Sequence, residues 1–86
     1  MDRHERRLMR ILRGTSDASI PLADLCQLLR QMGFVERIRG SHHIFSREGV
    51  DEILNLQPKG RHAKPYQVKQ VRSVVLRYKL GSTEDE

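Results

Sequence analysis

A single cysteine, Cys26, is the only thiol among these 86 residues, so an internal disulfide is excluded. No second ligand or base neighbours it, and it falls in an apolar helical pattern that places it in a core, in a reducing compartment. No run approaches the roughly 18 apolar residues of a membrane-crossing helix, and the N-terminus is charged instead of signal-like, so a soluble, cytoplasmic protein is expected. Neither a carboxylate pair nor a Cys/His cluster with ligand spacing occurs, and the expectation is therefore no metal and no other cofactor. No internal repeat is visible. A chain of this length forms one domain that buries about 60 to 65% of its unfolded surface around one modest core.

Acidic residues are also scarce outside the last few positions. The formal net charge is +5, but Glu84, Asp85 and Glu86 supply three of the eleven acids, which leaves sixteen Lys and Arg against eight acids over residues 1–83. A positive field of that size on a small domain gathers polyanions and points to nucleic acid, while an acidic protein partner fits it as well. A merely solvated basic surface is the bland counterpart of both.

Leu8, Met9, Ile11 and Leu12 lie on a background of Arg3, Arg6, Arg7, Arg10 and Arg13, the pattern of an amphipathic helix that Gly14 and the polar run to Ser19 bring to an end. Residues 1–20 thus read as an N-terminal helix and loop. Ile20-Pro21 is extended, because a residue before proline is pushed out of the helical region, and a helix can start just beyond it. Leu22, Leu25, Cys26, Leu29 and Met32 recur at three and four, with Leu28 widening the stripe and Gly33 placed for a left-handed cap. Phe34 to Arg39 and His42 to Ser46 read as two strands able to form a hairpin. Arg47-Glu48-Gly49 reads as a turn, and Val50 to Gln57 fits a third strand, although Asp51 to Leu54 could equally be a helical turn. Pro58 to Pro65 reads as a basic loop. Val68, Val71, Val74, Val75 and Tyr78 then mark a last helix, which Gly81 stops before an acidic tail, residues 82–86.

Chemistry is suggested in one place, Arg39-Gly40-Ser41-His42-His43-Ile44-Phe45, where half of the four histidines sit between a small-residue break and an apolar pair. An imidazole titrates near pH 6.5 when unperturbed, which suits it to take and return a proton at neutral pH. Side chains alternate across a strand, so His42 and His43 point to opposite faces and only one of them can line up with a core. An ordinary surface pair of histidines is the competing reading. Lys59, Arg61 and Lys64 in the basic loop could clamp a phosphate backbone with His62 as a further donor, against the alternative of a flexible solvated loop.

Helix, three short strands and helix, with one more helix in front, is the α-β-β-β-α order of a double-stranded-RNA-binding-like fold, in the α+β class. The runs Leu25 to Phe34, Arg39 to Phe45, Leu54-Asn55-Leu56-Gln57-Pro58 and Val68 to Gly81 resemble the HicA toxins of bacterial and archaeal toxin-antitoxin pairs, over about Leu22 to Gly81, within a HicA-like domain of residues 21–81. The resemblance implies a toxin that is an mRNA interferase: an endoribonuclease cutting mRNA, neutralised by a HicB-type antitoxin. The histidine after Gly-Ser is the catalytic one in that family, which carries over to His42, and leaves Ser41, His43 and His62 as possible supporting residues. Arg39, Lys59, Arg61 and Lys64 are the expected RNA contacts. Two departures stand out: residues 1 to about 20 have no counterpart in the shortest members, and Lys59-Gly60-Arg61 separates Pro58 from His62 where the family often has a histidine sooner. A non-catalytic RNA-binding module of the same fold, and a domain whose basic face meets only an acidic partner, are the alternative functions.

Overall fold

The computed structural model describes residues 2–81, so the acidic tail expected at 82–86 lies outside the described residues. The chain starts with helix α1, Arg3–Arg13. Asp2 caps it by accepting from the Glu5 amide at 2.8 Å while Glu5 accepts from the Asp2 amide at 3.1 Å, a reciprocal pair that satisfies donors the helix itself leaves open. A single 3₁₀ turn, Asp17–Ser19, leads through the extended Ile20-Pro21 into helix α2, Leu22–Gln31. Strands β1 (Val35–Arg39), β2 (His42–Arg47) and β3 (Val50–Leu56) form one antiparallel sheet with β2 in the middle. Asp51 to Leu54 is strand, which closes the alternative of a helical turn there.

Pro58–Lys59 (β4) and His62–Ala63 (β5) form a second, two-stranded hairpin where the sequence reads as a loop. Strands of two residues carry no periodicity, and a proline argues against pairing, so the hairpin is invisible to pattern. Its turn uses the same device as the turn between β1 and β2. Gly40 opens one with φ 58° and Gly60 opens the other with φ 64°, each at the first central position of a two-residue connection, where a positive φ matches the strand twist.

Helix α3, Pro65–Arg77, ends four residues before Gly81. The left-handed residue is Lys79, at φ 56°, and the Leu80 amide donates back to the Val75 carbonyl at 2.9 Å. That closure returns Leu80 to the core and sets Gly81 against Leu8 of α1, where an added Cβ would stand 3.4 Å from the leucine methyl.

Side chains of all three helices and the inner face of the sheet make one core. Leu8 and Ile11 of α1, Leu25, Leu28 and Leu29 of α2, Phe45 of β2, Leu54 and Leu56 of β3, and Val68, Val71 and Val75 of α3 are buried together. Cys26 belongs to it as expected. Arg72 of α3 ties the leading segment down by a bidentate pair to Asp17, at 3.0 and 3.1 Å, and by a hydrogen bond to the Ile11 carbonyl at 3.1 Å. Among the described residues, no helix covers the other face of the sheet. Phe45, Leu54 and Leu56 turn to the helices, so strand alternation leaves Arg37, Arg39, His42, Ile44, Ile53 and Asn55 together on the open face.

Candidate active site

His42 and His43 part company as strand geometry requires. His43 lies on the helix-facing side, cross-strand from Leu56, and its Nδ1 stands 2.7 Å from Glu36 Oε2. Glu36 also accepts from Arg30 Nε at 2.8 Å and Nη2 at 3.1 Å. Burial alone would raise the Glu36 carboxyl, but the hydrogen bonds from His43 and Arg30 outweigh it and hold the group below the ordinary carboxylate range. Cys26 is close by: one ligand atom each from Cys26, Glu36 and His43 fall within 4.8 Å of one another. Burial, helped by the Glu36 charge, pushes the Cys26 thiol up to about 11, so it stays protonated while Glu36 spends its oxygens on Arg30 and His43.

His42 faces the other way, into a groove of about 210 Å³ where the β3 edge meets the start of α3. Ile53, Asn55 and Gln57 form one wall and Tyr66, Gln67 and Gln70 the other. The His42 ring is half-buried, and its Nδ1 donates to Asn55 Oδ1 at 2.9 Å. With that proton held by the amide oxygen, Nε2 carries the free lone pair of the neutral imidazole. A base oriented by a second group is the arrangement proton abstraction needs.

Gln67 builds the second wall. Its side chain is buried at 1% exposure and joins three segments. The amide oxygen accepts from the Gln57 and Lys64 backbone amides at 3.3 and 3.4 Å, and the amide nitrogen donates to the Asn55 carbonyl at 3.2 Å. It therefore satisfies a carbonyl on the free edge of β3 and fixes the backbone of the residue that orients His42. Tyr66, beside it, keeps 62% of its surface exposed at the groove mouth.

The remaining sequence candidates divide between groove and hairpin. Arg39 is the cross-strand neighbour of His42 on the open face. Lys64 Nζ donates to Gln57 Oε1 at 3.3 Å, and Gln57 Nε2 reaches Ser41 Oγ at 3.5 Å, so Lys64 and Ser41 flank the groove through one amide. Lys59, Arg61 and His62 lie exposed on the β4–β5 hairpin, and His62 bridges to Pro21 instead of lining the groove. Gly40 meets nothing within 4 Å of a built Cβ, so positive φ, not crowding by the chain, is what calls for glycine there.

Asn55, Gln57, Tyr66, Gln67 and Gln70 carry no role in the sequence reading. A signal for three of them exists: Asn55 is a lone amide between Leu54 and Leu56, so it must leave the core face, and Tyr66 and Gln70 are one helical turn apart.

In comparison with known proteins, a family model described as the HicA toxin of bacterial toxin-antitoxin matches residues 23–77. No curated protein and no solved structure matches the chain.

Proposed function

The chain belongs to the HicA toxin family of bacterial toxin-antitoxin systems, and from that premise we propose that it is an endoribonuclease that cuts mRNA at the His42 groove and is silenced by a HicB-type antitoxin. The observation that carries the reading is the 2.9 Å bond from His42 Nδ1 to Asn55, which leaves Nε2 free to act in a half-open groove bordered by Arg39 and Lys64. RNA brings its own nucleophile. His42 Nε2 takes the proton of a ribose 2′-hydroxyl, the 2′-oxygen attacks the adjacent phosphorus, and the P–O5′ bond breaks. The products are a 2′,3′-cyclic phosphate and a 5′-hydroxyl, whose proton comes from the imidazolium just formed or from the Lys64 ammonium. Arg39 and Lys64 offset the charge that builds on the phosphate, and Ser41 and Gln57 offer hydrogen bonds to it. No step requires a metal ion. His43, locked to Glu36 on the far side of the sheet, supports the strand and not the chemistry. The hairpin cations Lys59 and Arg61, with His62, hold RNA beyond the scissile phosphate.

The open face also supports the antitoxin reading, since Ile53 leaves 63% of its surface to solvent in the wall of the groove. A partner laid across it would cover His42.

The test compares wild type and His42→Ala for growth arrest on induction, and for cleavage of single-stranded RNA in excess chelator. Loss of a positioned acid-base group lowers the rate about 10²- to 10⁴-fold. Equal cleavage by both proteins removes His42 from the mechanism, and loss of wild-type cleavage in chelator removes the metal-free step. RNA binding without cleavage by either protein favours a non-catalytic RNA-binding module.

A further inference from the structure

The segment ahead of the family match builds a second concave site. Arg3, Arg6, Arg7 and Arg10 of α1 line a groove of about 230 Å³ floored by Ile11 and Ile20, with Asp24 of α2 on the opposite side. Two of the four guanidiniums are engaged: Arg7 stands 3.5 Å from Asp24, and Arg10 donates to the Ser19 carbonyl at 3.0 Å. Arg3 and Arg6 are exposed and have no acceptor among the described residues. Four cations against one carboxylate in a single groove repel one another, and a bound polyanion relieves that repulsion.

The floor of this groove is joined to the basic hairpin. The Ala63 amide donates to the Ile20 carbonyl at 2.9 Å, the Leu22 amide donates to the Arg61 carbonyl at 3.0 Å, and Pro21 bridges His62. From the hairpin, Lys64 reaches Gln57, which lines the His42 groove. The chain links therefore set the basic hairpin, with Lys59, Arg61 and Lys64, between the α1 groove and the His42 groove.

We propose that the α1 groove is a second RNA subsite, holding phosphates of nucleotides that flank the one at His42. The proposal rests on the RNA reading of the His42 groove and extends it. Guanidinium forks match phosphate oxygens, and the arginine stems and guanidinium planes offer the face on which a base or ribose can lie. Connection to the hairpin favours RNA over an acidic peptide, which would need charge only within the groove.

The experiment uses the full chain with 2′-O-methyl oligouridine, which lacks the nucleophilic hydroxyl and stays intact. Binding is followed by fluorescence anisotropy across a salt series for oligomers of about 4 and about 16 nucleotides, the range that single-strand-binding folds occupy. The variant is Arg3→Gln with Arg6→Gln, both exposed, with the melting temperature as the check on folding. Each phosphate contact on a single strand adds about 0.7 to the salt slope, so the variant binds the long oligomer about tenfold more weakly with a slope lower by about 1.4, and binds the short one as before. Unchanged affinity and slope on the long oligomer overturn the subsite, and an equal loss on both lengths overturns its placement as a flanking site. Failure of the parent protein to bind either oligomer brings down the RNA reading itself, and this one with it.

Discussion

Gln67→Leu tests whether the groove is held by one buried amide. The change keeps the volume close to that of glutamine and removes bonds to the Gln57 amide, the Lys64 amide and the Asn55 carbonyl. The bond to the Tyr66 hydroxyl is a smaller loss, because that side chain is exposed and can bond water instead. Three bonds at about 1 kcal/mol each give about 3 kcal/mol, and at 3.2 to 3.4 Å they are long, so the sum is an upper figure. A buried leucine returns about 1 kcal/mol through its apolar surface. The net loss is about 2 kcal/mol, which for a domain of this size lowers the melting temperature by about 8 to 16 °C. Calorimetry reads the stability. RNA cleavage, measured well below the lowered midpoint, reads the site, and it falls as well because Asn55 loses the anchor of its backbone. A melting temperature within about 2 °C of the parent refutes the reasoning, since the amide would then contribute no more than a surface substitution does.

Three further outcomes follow from particular contacts. Asn55→Leu leaves the His42 imidazole without an acceptor for Nδ1, so cleavage falls by more than tenfold but less than the full acid-base loss of about 10²- to 10⁴-fold, while binding to 2′-O-methyl RNA is retained; unchanged cleavage would show that the amide does not set the tautomer. Tyr66→Ala removes an exposed ring at the groove mouth and weakens single-stranded RNA binding by about 1 to 3 kcal/mol if a base stacks there, as titration against oligouridine would show. The Arg72 hydrogen bonds hold the Asp17 carboxyl below the ordinary carboxylate value despite its partial burial. Because the native value is the lower one, the pair's stabilisation is present above the unfolded-state value, declines as pH falls through that range, and is gone below the native value. Asp17→Asn therefore costs about 1 to 3 kcal/mol at neutral pH and flattens the acid limb of stability; denaturant midpoints between pH 7 and pH 2 that stay parallel for variant and parent would contradict it.

What could be read from the residues is what depends on neighbours in sequence. The stripe Leu22, Leu25, Cys26, Leu29 and Met32 repeats within one helix and announces the face that α2 buries. The opposite directions of His42 and His43 follow from alternation alone, and the Gly40 turn follows from the demand of a two-residue hairpin for positive φ. Legibility stops where partners are far apart in the chain. Nothing near Gln67 tells that its amide serves Gln57 and Asn55, ten and twelve residues away. The stop of α3 was misplaced for a related reason: Gly81 is the favoured left-handed residue, but the closing bond from Leu80 to Val75 forces Lys79 into that conformation, while Gly81 makes room for Leu8 of a helix at the other end of the sequence. The N-terminal helix itself was legible, and its packing into the common core was not.

The division of labour between two adjacent histidines depends on register. Sliding β2 by one residue would exchange the faces of His42 and His43, moving the ring held by Glu36 into the groove and carrying Phe45 out of the core. Exposing a fully buried phenylalanine costs about 1.5 to 3 kcal/mol, and the slip would also separate Glu36 from His43 and break the pairing of Arg39 with His42 across the Gly40-Ser41 turn. The turn fixes the strand at one end and Phe45 fixes it in the middle, so the imidazole facing the groove is selected by forces that have nothing to do with any ligand. The geometry of the His42 groove in so small a domain is a by-product of core packing on the opposite face of the same strand. Substitutions at Phe45 or Leu54 should accordingly disturb cleavage and stability together, whereas His42 and Asn55, which support nothing beneath them, are free to be tuned for chemistry alone.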